Sequence, residues 1–250
     1  LPDAEVLITF YMCSPPMLDA SPKLKWVQAV SAGVDNLDVA GMARRSIVIT
    51  NGRGVNAIQM AEYALAALIN LARNFHLMFR NQAAGKWERA VPQGEIYGAT
   101  LGILGLGAIG TVIAERASML GMRVIGLKRT PEAVENVSEV YGPDEMGGIF
   151  SQSDYIINLL PHTNLTEGII DRAFFMQMKP DACFINIGRG KTVKEADMVA
   201  ALRRKSFRAL VSDVFETEPL PAESPLWGMD NVIITPHIGG ASPRYAARAL

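Results

Sequence analysis

The sequence predicts an α/β fold built on a doubly wound parallel sheet, and three observations support this class. Short runs rich in β-branched residues alternate with longer stretches of helical periodicity, which is the order of elements in such sheets. Several of these runs are apolar at consecutive positions, as strands buried on both faces are. A glycine-rich turn also lies between one such run and a helical stretch, at residues 105–110.

Each predicted strand is a short run dominated by valine, isoleucine, leucine and aromatic residues. The predicted strands are residues 6–10, 25–30, 47–50, 101–104, 124–127, 155–160, 183–187, 210–214 and 232–235. Between them, apolar residues recur with helical spacing at 58–79, 109–120, 172–178 and 195–204, and a further helix starts at Ser242.

Two segments depart from this alternation. The helical pattern at 58–79 is unusually long for a globular helix, and it suits an element that bridges two lobes. Residues 85–98, which include Trp87 and Pro92, are typical of a loop or arm. A domain boundary is therefore predicted near residues 51–56, with a small α/β lobe before it and the main sheet after it.

Composition limits the classes to which the chain can belong. Apolar residues make up 49% and charged residues 20% of the chain, which indicates a folded globular protein and argues against disorder. The 24 lysines and arginines nearly balance the 25 aspartates and glutamates, so charge gives no reason to expect nucleic acid or an anionic membrane as a partner. No apolar run approaches the roughly 18 residues that span a bilayer.

Cysteine usage and the start of the chain bear on location. Cys13 and Cys183 are far apart and lack the paired spacing of a zinc site, so no metal site is predicted. A disulfide framework is not expected either, which favours a reducing cytoplasm. The chain starts Leu1-Pro2-Asp3, which is neither an initiator methionine nor a signal peptide, and we expect a trimmed end.

A dinucleotide-binding turn is predicted in the segment TLGILGLGAIG at 100–110. It places G-x-G-x-x-G at Gly105, Gly107 and Gly110, after a strand and before a helix. The first glycine permits the tight turn, the second lets the backbone approach a pyrophosphate, and the third allows close helix–strand packing. The helix N-terminus offers N–H donors to phosphate. The alternative is a glycine-rich structural turn that binds nothing.

The residues after the next strand indicate which dinucleotide is preferred. An NAD site usually has an aspartate or glutamate there, which binds the ribose 2′-hydroxyl. This chain has Lys128, Arg129 and Thr130 instead. Two cations and a hydroxyl would attract a 2′-phosphate through charge-assisted hydrogen bonds. The sequence therefore predicts NADP(H), with NAD as the second choice; the alternative is that the two basic side chains are merely solvated.

Three motifs at or just beyond the ends of predicted strands carry candidate catalytic residues: NIGRG at 186–190, DVFETEP at 213–219 and TPHIGG at 235–240. Arg189 can bind a carboxylate and polarise a ketone oxygen through its planar guanidinium. His237 can donate a proton to that oxygen, and Glu218 can hydrogen-bond the imidazole and favour its charged form. Singly, each residue also suits a surface turn, a helix stop or a buried contact. Together they suit reduction of a 2-oxo acid by a nicotinamide cofactor.

These ordered motifs resemble the D-isomer-specific 2-hydroxyacid dehydrogenase family, which includes glyoxylate/hydroxypyruvate reductases and phosphoglycerate dehydrogenase. The resemblance extends along nearly the whole chain, because SAGVDN at 31–36, NGRGVNA at 51–57, Ala61-Glu62 and LPHT at 160–163 also match. It implies a Rossmann dinucleotide-binding domain at 53–241 and a smaller, incomplete flavodoxin-like substrate domain at 1–52. It further implies that 242–250 start a helix returning to the substrate domain, and that the protein is a homodimer.

By the same resemblance Arg189, Glu218 and His237 would be the catalytic residues. The substrate carboxylate would contact the backbone N–H groups of Ala32 and Gly33.

In the cofactor site, the resemblance implies that Asp213 contacts the nicotinamide amide and that Leu160 and Pro161 lie beside the adenosine. His162 would be a loop residue, and His76 a packing or interface histidine. Family members usually have an acid at the position of Lys128. This departure changes the expected cofactor and does not change the expected reaction. The remaining predicted cofactor residues are Ala108, Ile109, Ile187, Gly188 and Gly239.

The turn TFYMCS at 9–14 would face the substrate in this family. It is apolar and aromatic and has no basic residue for a phosphate, so a small or moderately apolar 2-oxo acid such as glyoxylate, hydroxypyruvate or a branched analogue is predicted. The alternative is that Phe10 and Tyr11 pack against the neighbouring lobe. Two other functions remain open: a nucleotide-sensing corepressor or scaffold of the same fold, and a formate dehydrogenase.

Overall fold

The structure, a computed structural model, describes residues 2–10 and 12–249. Its contacts divide the chain into two compact units, one made of residues 1–57 and 241–250 and the other of residues 58–240. The sequence predicts these boundaries after residue 52 and after residue 241.

The smaller unit contains a three-stranded parallel sheet. Its strands pair in chain order, β1 with β2 and β2 with β3. The elements are β1 (Val6–Thr9), α1 (Pro15–Asp19), β2 (Trp26–Ala29), α2 (Val39–Arg44), β3 (Val48–Asn51) and, near the end of the chain, α9 (Tyr245–Ala249). One face packs on a core of Cys13, Leu18, Leu24, Val27, Met42 and Ile47.

The larger unit begins at the second residue of α3 (Ala57–Arg73), and α4 (Phe75–Ala83) follows. The single helix predicted at 58–79 is therefore wrong. Asn74 lies between the two helices in the left-handed region, with φ 50°, which asparagine adopts more readily than most residues. Its side-chain amide donates to the Pro92 carbonyl at 2.8 Å, and Arg208 Nη1 donates to the Leu71 carbonyl at 3.1 Å. The second contact satisfies a carbonyl group at the end of α3, and the first ties Asn74 to the 85–98 segment.

The remaining elements of the larger unit form one parallel sheet flanked by helices. Residues 85–98 contain no helix or strand, as predicted. The elements in chain order are β4 (Thr100–Leu104), α5 (Ala108–Met119), β5 (Arg123–Leu127), β6 (Glu139–Tyr141), α6 (Met146–Gln152), β7 (Tyr155–Asn158), α7 (Arg172–Phe175), β8 (Cys183–Asn186), α8 (Glu195–Arg203), β9 (Ala209–Ser212) and β10 (Val232–Ile234).

The seven strands lie in the order β10-β9-β8-β7-β4-β5-β6. The first strand of the unit is therefore central and the order reverses between β4 and β7, as in a doubly wound dinucleotide-binding sheet. The predicted fold class is confirmed. All predicted strands are present with ends shifted by at most two residues, whereas the short edge strand β6 and the helices α1, α2 and α6 were not predicted.

Successive residues of the central strands enter two different cores, which explains their continuous apolar runs. Ile156, Phe184 and Leu210 belong to the core that also contains side chains of α6, α7 and α8. The residues that follow each of them pack in the core shared with α3 and α5; they are Ile157, Ile185 and Val211. A strand buried on both faces has no polar alternation.

Candidate active site

The carboxyl ends of the central strands are aligned in one row. Leu104 pairs with Asn158, Asn158 with Asn186, and Asn186 with Ser212, each at the last position of its strand. Ser212 also pairs with Ile234, the last residue of β10. The segments that follow these strands therefore meet at one edge of the sheet, where doubly wound folds bind their ligands.

The glycine turn between β4 and α5 has the geometry that dinucleotide binding needs. Gly105 has φ 116°, which disfavours any side chain. A Cβ at Gly110 would overlap the carbonyl of Gly105, so this glycine allows α5 to pack against the turn. A Cβ at Gly107 would meet no atom within 4 Å, which leaves the N-terminus of α5 open. The first-turn N–H groups there, including those of Ala108 and Ile109, have no intrahelical acceptor and can bind phosphate.

Lys128 follows β5, and the edge strand β6 fixes its backbone, since Lys128 N donates to the Tyr141 carbonyl at 3.0 Å. Its ammonium forms an ion pair with Glu132. The hydrogen bond and the charge of Lys128 lower the pKa of Glu132. Arg129 and Thr130 are exposed beside it. Sequence reasoning missed Glu132, although its i+4 spacing from Lys128 was a visible signal.

Glu218 and His237 form a close pair across two loops. The Glu218 Oε2 atom lies 2.7 Å from His237 Nδ1, and Oε1 accepts a hydrogen bond from Phe215 N at 2.9 Å. Because Glu218 accepts from Nδ1–H, Nε2 is left for another partner, and it has a proton to donate when the ring is in the imidazolium form.

The backbone of His237 is in the left-handed region, with φ 54°. Asp213, which is 2% exposed, holds the loop in this conformation. Its Oδ1 accepts from Ile238 N at 2.9 Å and its Oδ2 accepts from Gly239 N at 2.8 Å. Hydrogen bonds on both sides of the carboxylate explain how this uncommon conformation is maintained.

Asp213 is also connected to α3, through the side chains of Thr235 and Tyr63. Thr235 Oγ1 donates to Asp213 Oδ1 at 2.6 Å, so the Tyr63 hydroxyl, 2.7 Å from Thr235 Oγ1, donates to Thr235. Burial raises the pKa of Tyr63 to about 12, so the phenol keeps its proton at neutral pH. Sequence reasoning did not identify Tyr63 or Thr235, because no local pattern links residues so far apart in the chain.

Arg189 lies between β8 and a 3-10 helix at Gly190–Thr192. Its Nη1 donates to the Gly188 carbonyl at 2.8 Å. A Cβ at Gly190 would overlap the backbone of Phe215, so the loop of Arg189 is in direct backbone contact with the loop of Glu218. The structure therefore brings the Arg189, Glu218 and His237 loops to the same edge of one sheet.

Glu195, in the first turn of α8, supports the Glu218 loop from the other side. Its Oε2 accepts from Glu216 N at 3.3 Å. Burial raises the pKa of Glu195; the hydrogen bond from Glu216 N opposes this rise, and the charge of Glu216 adds to it. Sequence reasoning missed this residue; an acid at a helix start is an expected pattern and gave no specific signal.

The predicted adenosine segment lies at the same edge. Leu160 is 8% exposed and its N–H donates to Asn158 Oδ1 at 3.1 Å. The Pro161 carbonyl accepts from Thr166 Oγ1, which closes a turn over 161–166. A Cβ at Gly188 would lie 2.9 Å from the Leu159 carbonyl carbon, so Ile187 and Gly188 pack beside this loop. His162 Nε2 lies 3.7 Å from Glu167 within the same loop.

In the smaller unit, the predicted substrate loop follows β2. The Gly33 carbonyl accepts from Ser31 Oγ at 2.7 Å, and the Ala32 carbonyl accepts from Asn51 Nδ2 at 2.8 Å. Over residues 2–10 and 12–249, the N–H groups of Ala32 and Gly33 donate no hydrogen bond. Both groups are thus free to bind an anion. Of the predicted substrate turn, Tyr11 lies outside the described residues; Phe10 is 42% exposed and its ring contacts Tyr245, with centroids 6.1 Å apart.

Among the described residues, no group of three or more histidine, cysteine or acidic side chains could hold a metal ion. Within the same residues, no helix has both the length and the apolar character needed to cross a membrane.

The sheet and its glycine turn define a dinucleotide-binding α/β protein with an acid–base pair at the ligand-binding edge. The sequence profile described as D-isomer specific 2-hydroxyacid dehydrogenase, NAD binding domain, matches residues 65–239. The chain belongs to this family of oxidoreductases, as its motifs predicted.

Relatives with similar sequences are named for two different enzyme activities. The chain is 35% identical over 237 residues to a D-3-phosphoglycerate dehydrogenase of Methanocaldococcus jannaschii, covering 93% of this chain and 44% of that one. It is 34% identical over 233 residues to glyoxylate/hydroxypyruvate reductase B of Enterobacter sp., covering 90% and 71%. The chain thus spans less than half of the first relative and about seven-tenths of the second.

Solved structures show the same fold. One is an NADPH-dependent glyoxylate/hydroxypyruvate reductase from Sinorhizobium meliloti in complex with NADP and malonate. It matches with a TM-score of 0.87 and 31% identity, over 99% of this chain and 78% of that chain.

Proposed function

We propose that the protein is an oxidoreductase that reduces a small 2-oxo acid to the D-2-hydroxy acid with NADPH. The observation that carries this proposal is the Glu218–His237 contact of 2.7 Å, on the same sheet edge as the Arg189 loop and the glycine turn. Reduction of a 2-oxo acid requires a group that donates a proton to the ketone oxygen and a cation that binds the carboxylate. Family membership supports the reaction class.

The residues of the glycine turn fit the dinucleotide. Gly105, Gly107 and Gly110 would let its pyrophosphate approach the N–H groups of Ala108 and Ile109. Leu160 and Pro161 would lie beside the adenosine, and Ile187, Gly188, Asp213 and Gly239 would border the nicotinamide. The carboxylate of Asp213 accepts three hydrogen bonds and retains capacity for an amide donor. When bound, the reduced cofactor supplies the hydride.

The protein side chains would do the remaining work. The Arg189 guanidinium would bind the substrate carboxylate and polarise the ketone oxygen. His237 would donate the proton from Nε2 to that oxygen while Glu218 holds Nδ1. The free N–H groups of Ala32 and Gly33 would bind the carboxylate of the substrate.

For the substrate we propose glyoxylate, hydroxypyruvate or a similar small acid. The relative named glyoxylate/hydroxypyruvate reductase supports this choice, whereas the relative named phosphoglycerate dehydrogenase does not. The turn at 9–14 favours an unphosphorylated acid such as glyoxylate, since this turn has no lysine or arginine to bind a phosphate.

A substrate panel tests this proposal. The intact protein is assayed with NADPH and with NADH against glyoxylate, hydroxypyruvate and 3-phosphohydroxypyruvate. We expect turnover with the first two acids and a lower kcat/KM for the phosphorylated one. Best activity on the phosphorylated acid contradicts the substrate assignment. Cofactor binding without turnover of any acid favours a nucleotide sensor.

We expect Lys128→Asp to lower the preference for NADPH over NADH by about 10- to 100-fold, because charge-assisted hydrogen bonds to the 2′-phosphate are lost. Glu132→Gln should have the opposite effect and tighten NADPH binding by about 2- to 5-fold, since the exposed carboxylate no longer competes for Lys128. Dissociation constants measured by NADPH and NADH fluorescence, together with kcat/KM, check both changes.

A matched control is Glu139→Gln, which removes an ion pair with Arg123 at the opposite end of β5. This variant should bind both cofactors as the wild type does. A wild-type preference for NADH would contradict the assigned roles of Lys128, Arg129 and Thr130. The complex of the Sinorhizobium relative with NADP supports the NADP assignment.

We further propose a cytoplasmic homodimer that uses α4 and the 85–98 arm. Exposed aromatic side chains support this: Phe79 is 60%, Trp87 93% and Tyr97 78% exposed. Large exposed rings of this kind are enriched in protein interfaces.

A further inference from the structure

A buried chain of hydrogen bonds connects the ends of β7 and β8 to the backbone of Arg189. Asn158 and Thr192 are both 0% exposed. Asn158 Nδ2 donates to Thr192 Oγ1 at 2.8 Å and to Asn186 Oδ1 at 2.9 Å. Thr192 Oγ1 in turn donates to the Arg189 carbonyl at 2.7 Å.

The donors and acceptors in this series of hydrogen bonds allow only one direction of donation. The Arg189 carbonyl can only accept, so the Thr192 hydroxyl must donate to it and accept from Asn158. Asn158 must therefore present its NH₂ group to Thr192. Its Oδ1 accepts from Leu160 N at 3.1 Å, which agrees with this orientation. Both N–H donors and the oxygen of the Asn158 side chain are thus hydrogen-bonded, which fixes the orientation of its amide group.

The chain of bonds fixes the backbone from which the guanidinium extends. Arg189 is extended, with φ −139° and ψ 135°, and the direction of its carbonyl defines ψ. The next residue, Gly190, is held against the Phe215 backbone. With the carbonyl bonded on one side and Gly190 packed on the other, the Cα–Cβ direction of Arg189 is set by contacts outside its own side chain.

We infer that Thr192 and Asn158 are positioning residues that orient Arg189 for the 2-oxo acid. This inference rests on the proposed function, in which Arg189 binds the substrate carboxylate. Thr192 gives the cleaner test, because Asn158 also bonds Leu160 in the adenosine segment and its replacement would disturb cofactor binding.

The test compares Thr192→Val, which keeps the shape and removes the hydroxyl, with Thr192→Ser, which keeps the hydroxyl. The control is Ser153→Ala; Ser153 precedes β7 at the other end, and its buried hydroxyl has no hydrogen-bond partner among the described residues. For each intact protein, kcat and KM with glyoxylate and hydroxypyruvate are measured, together with the dissociation constants of NADPH and of oxalate in the NADPH complex.

We expect Thr192→Val to lower kcat/KM by about 10- to 100-fold, as a small displacement of a substrate-binding group does. KM for the acid should rise and oxalate should bind more weakly, while NADPH affinity stays within about two-fold of wild type. Thr192→Ser and Ser153→Ala should stay within about three-fold of wild type in every constant. A Ser variant as impaired as the Val variant, or an equal loss of NADPH affinity, overturns the inference.

Failure of the proposed function gives a different result. If the wild type reduces no 2-oxo acid, the reductase assignment fails, and the oxalate titration alone decides the role of Thr192. Weaker oxalate binding by Thr192→Val, restored in Thr192→Ser, supports the positioning role. Equal behaviour of wild type and Thr192→Val, including binding by neither, overturns it.

Discussion

Replacement of His237 by asparagine is expected to lower kcat for 2-oxo acid reduction by about 100- to 10,000-fold, the usual contribution of a positioned acid or base. Asparagine can keep a hydrogen bond to Glu218 and tolerates the left-handed backbone that residue 237 adopts, with φ 54°. The loop should therefore stay folded while the proton donor is lost. Steady-state kinetics and the dissociation constant of NADPH, which should not change, check this result.

The chain has two further histidines, and one supplies the control. His76 lies in the first turn of α4, where its Nδ1 is 3.3 Å from Asn70 Oδ1, and burial lowers its pKa. His76→Asn should leave kcat within about two-fold of wild type, since His76 has no part in the proposed reaction. If His237→Asn kept wild-type kcat, the proton-donor assignment would be wrong.

Glu218→Gln is the companion variant. Both carboxylate oxygens face N–H groups, one on Phe215 and one on the imidazole. A glutamine has a single acceptor oxygen, so its NH₂ must face one of these donors. The variant should lower kcat less than His237→Asn does, because the imidazole itself remains.

Gly190→Ala is expected to have the second large effect. A Cβ at this position would overlap the Phe215 backbone, and neither partner is a flexible side chain that can turn away. The Arg189 and Glu218 loops must therefore separate. We expect destabilisation by about 2–3 kcal/mol, as overpacking gives. In a unit of this size that corresponds to a fall in Tm of about 5–10 °C. Thermal unfolding monitored by circular dichroism measures it.

The same substitution should reduce kcat/KM by more than about 100-fold at a temperature where the variant is still folded, because guanidinium and imidazole no longer act on one substrate. Gly228→Ala is the matched control, since Gly228 is exposed and a Cβ there would meet no atom within 4 Å. A Gly190→Ala protein with wild-type Tm and kinetics would show that the two loops are not coupled through this contact.

Much of the fold could be predicted because the central strands are buried on both faces. Residues such as Ile156 and Ile157 enter different cores, so their run is apolar without interruption. The break between α3 and α4 could not be read in the same way. Helical periodicity continues through Asn74, and the contacts that end the helix come from Pro92 and Arg208, far along the chain. The strand β6 has three residues at the sheet edge, too few for a periodic signal.

The candidate site divides along the same line. Gly105, Arg189 and His237 could be singled out because each stands in a motif directly after a predicted strand. Thr192 and Glu195 act through hydrogen bonds to backbone groups of other loops, and residue type alone does not indicate such contacts. One general signal was available: β7, β8 and β9 end in Asn158, Asn186 and Ser212, polar residues that close otherwise apolar strands.

The assignment of residues to two compact units has a consequence for how this protein can diversify. Arg189, Glu218 and His237 belong to the unit 58–240, whereas Ala32 and Gly33 belong to the unit that contains the first sheet. Under the proposed function, the residues that transfer the proton lie in the larger unit, and some of the residues that select the acid lie in the smaller unit. Substitutions near the first sheet can then alter selectivity among acids while the chemistry inherited from the larger module is preserved.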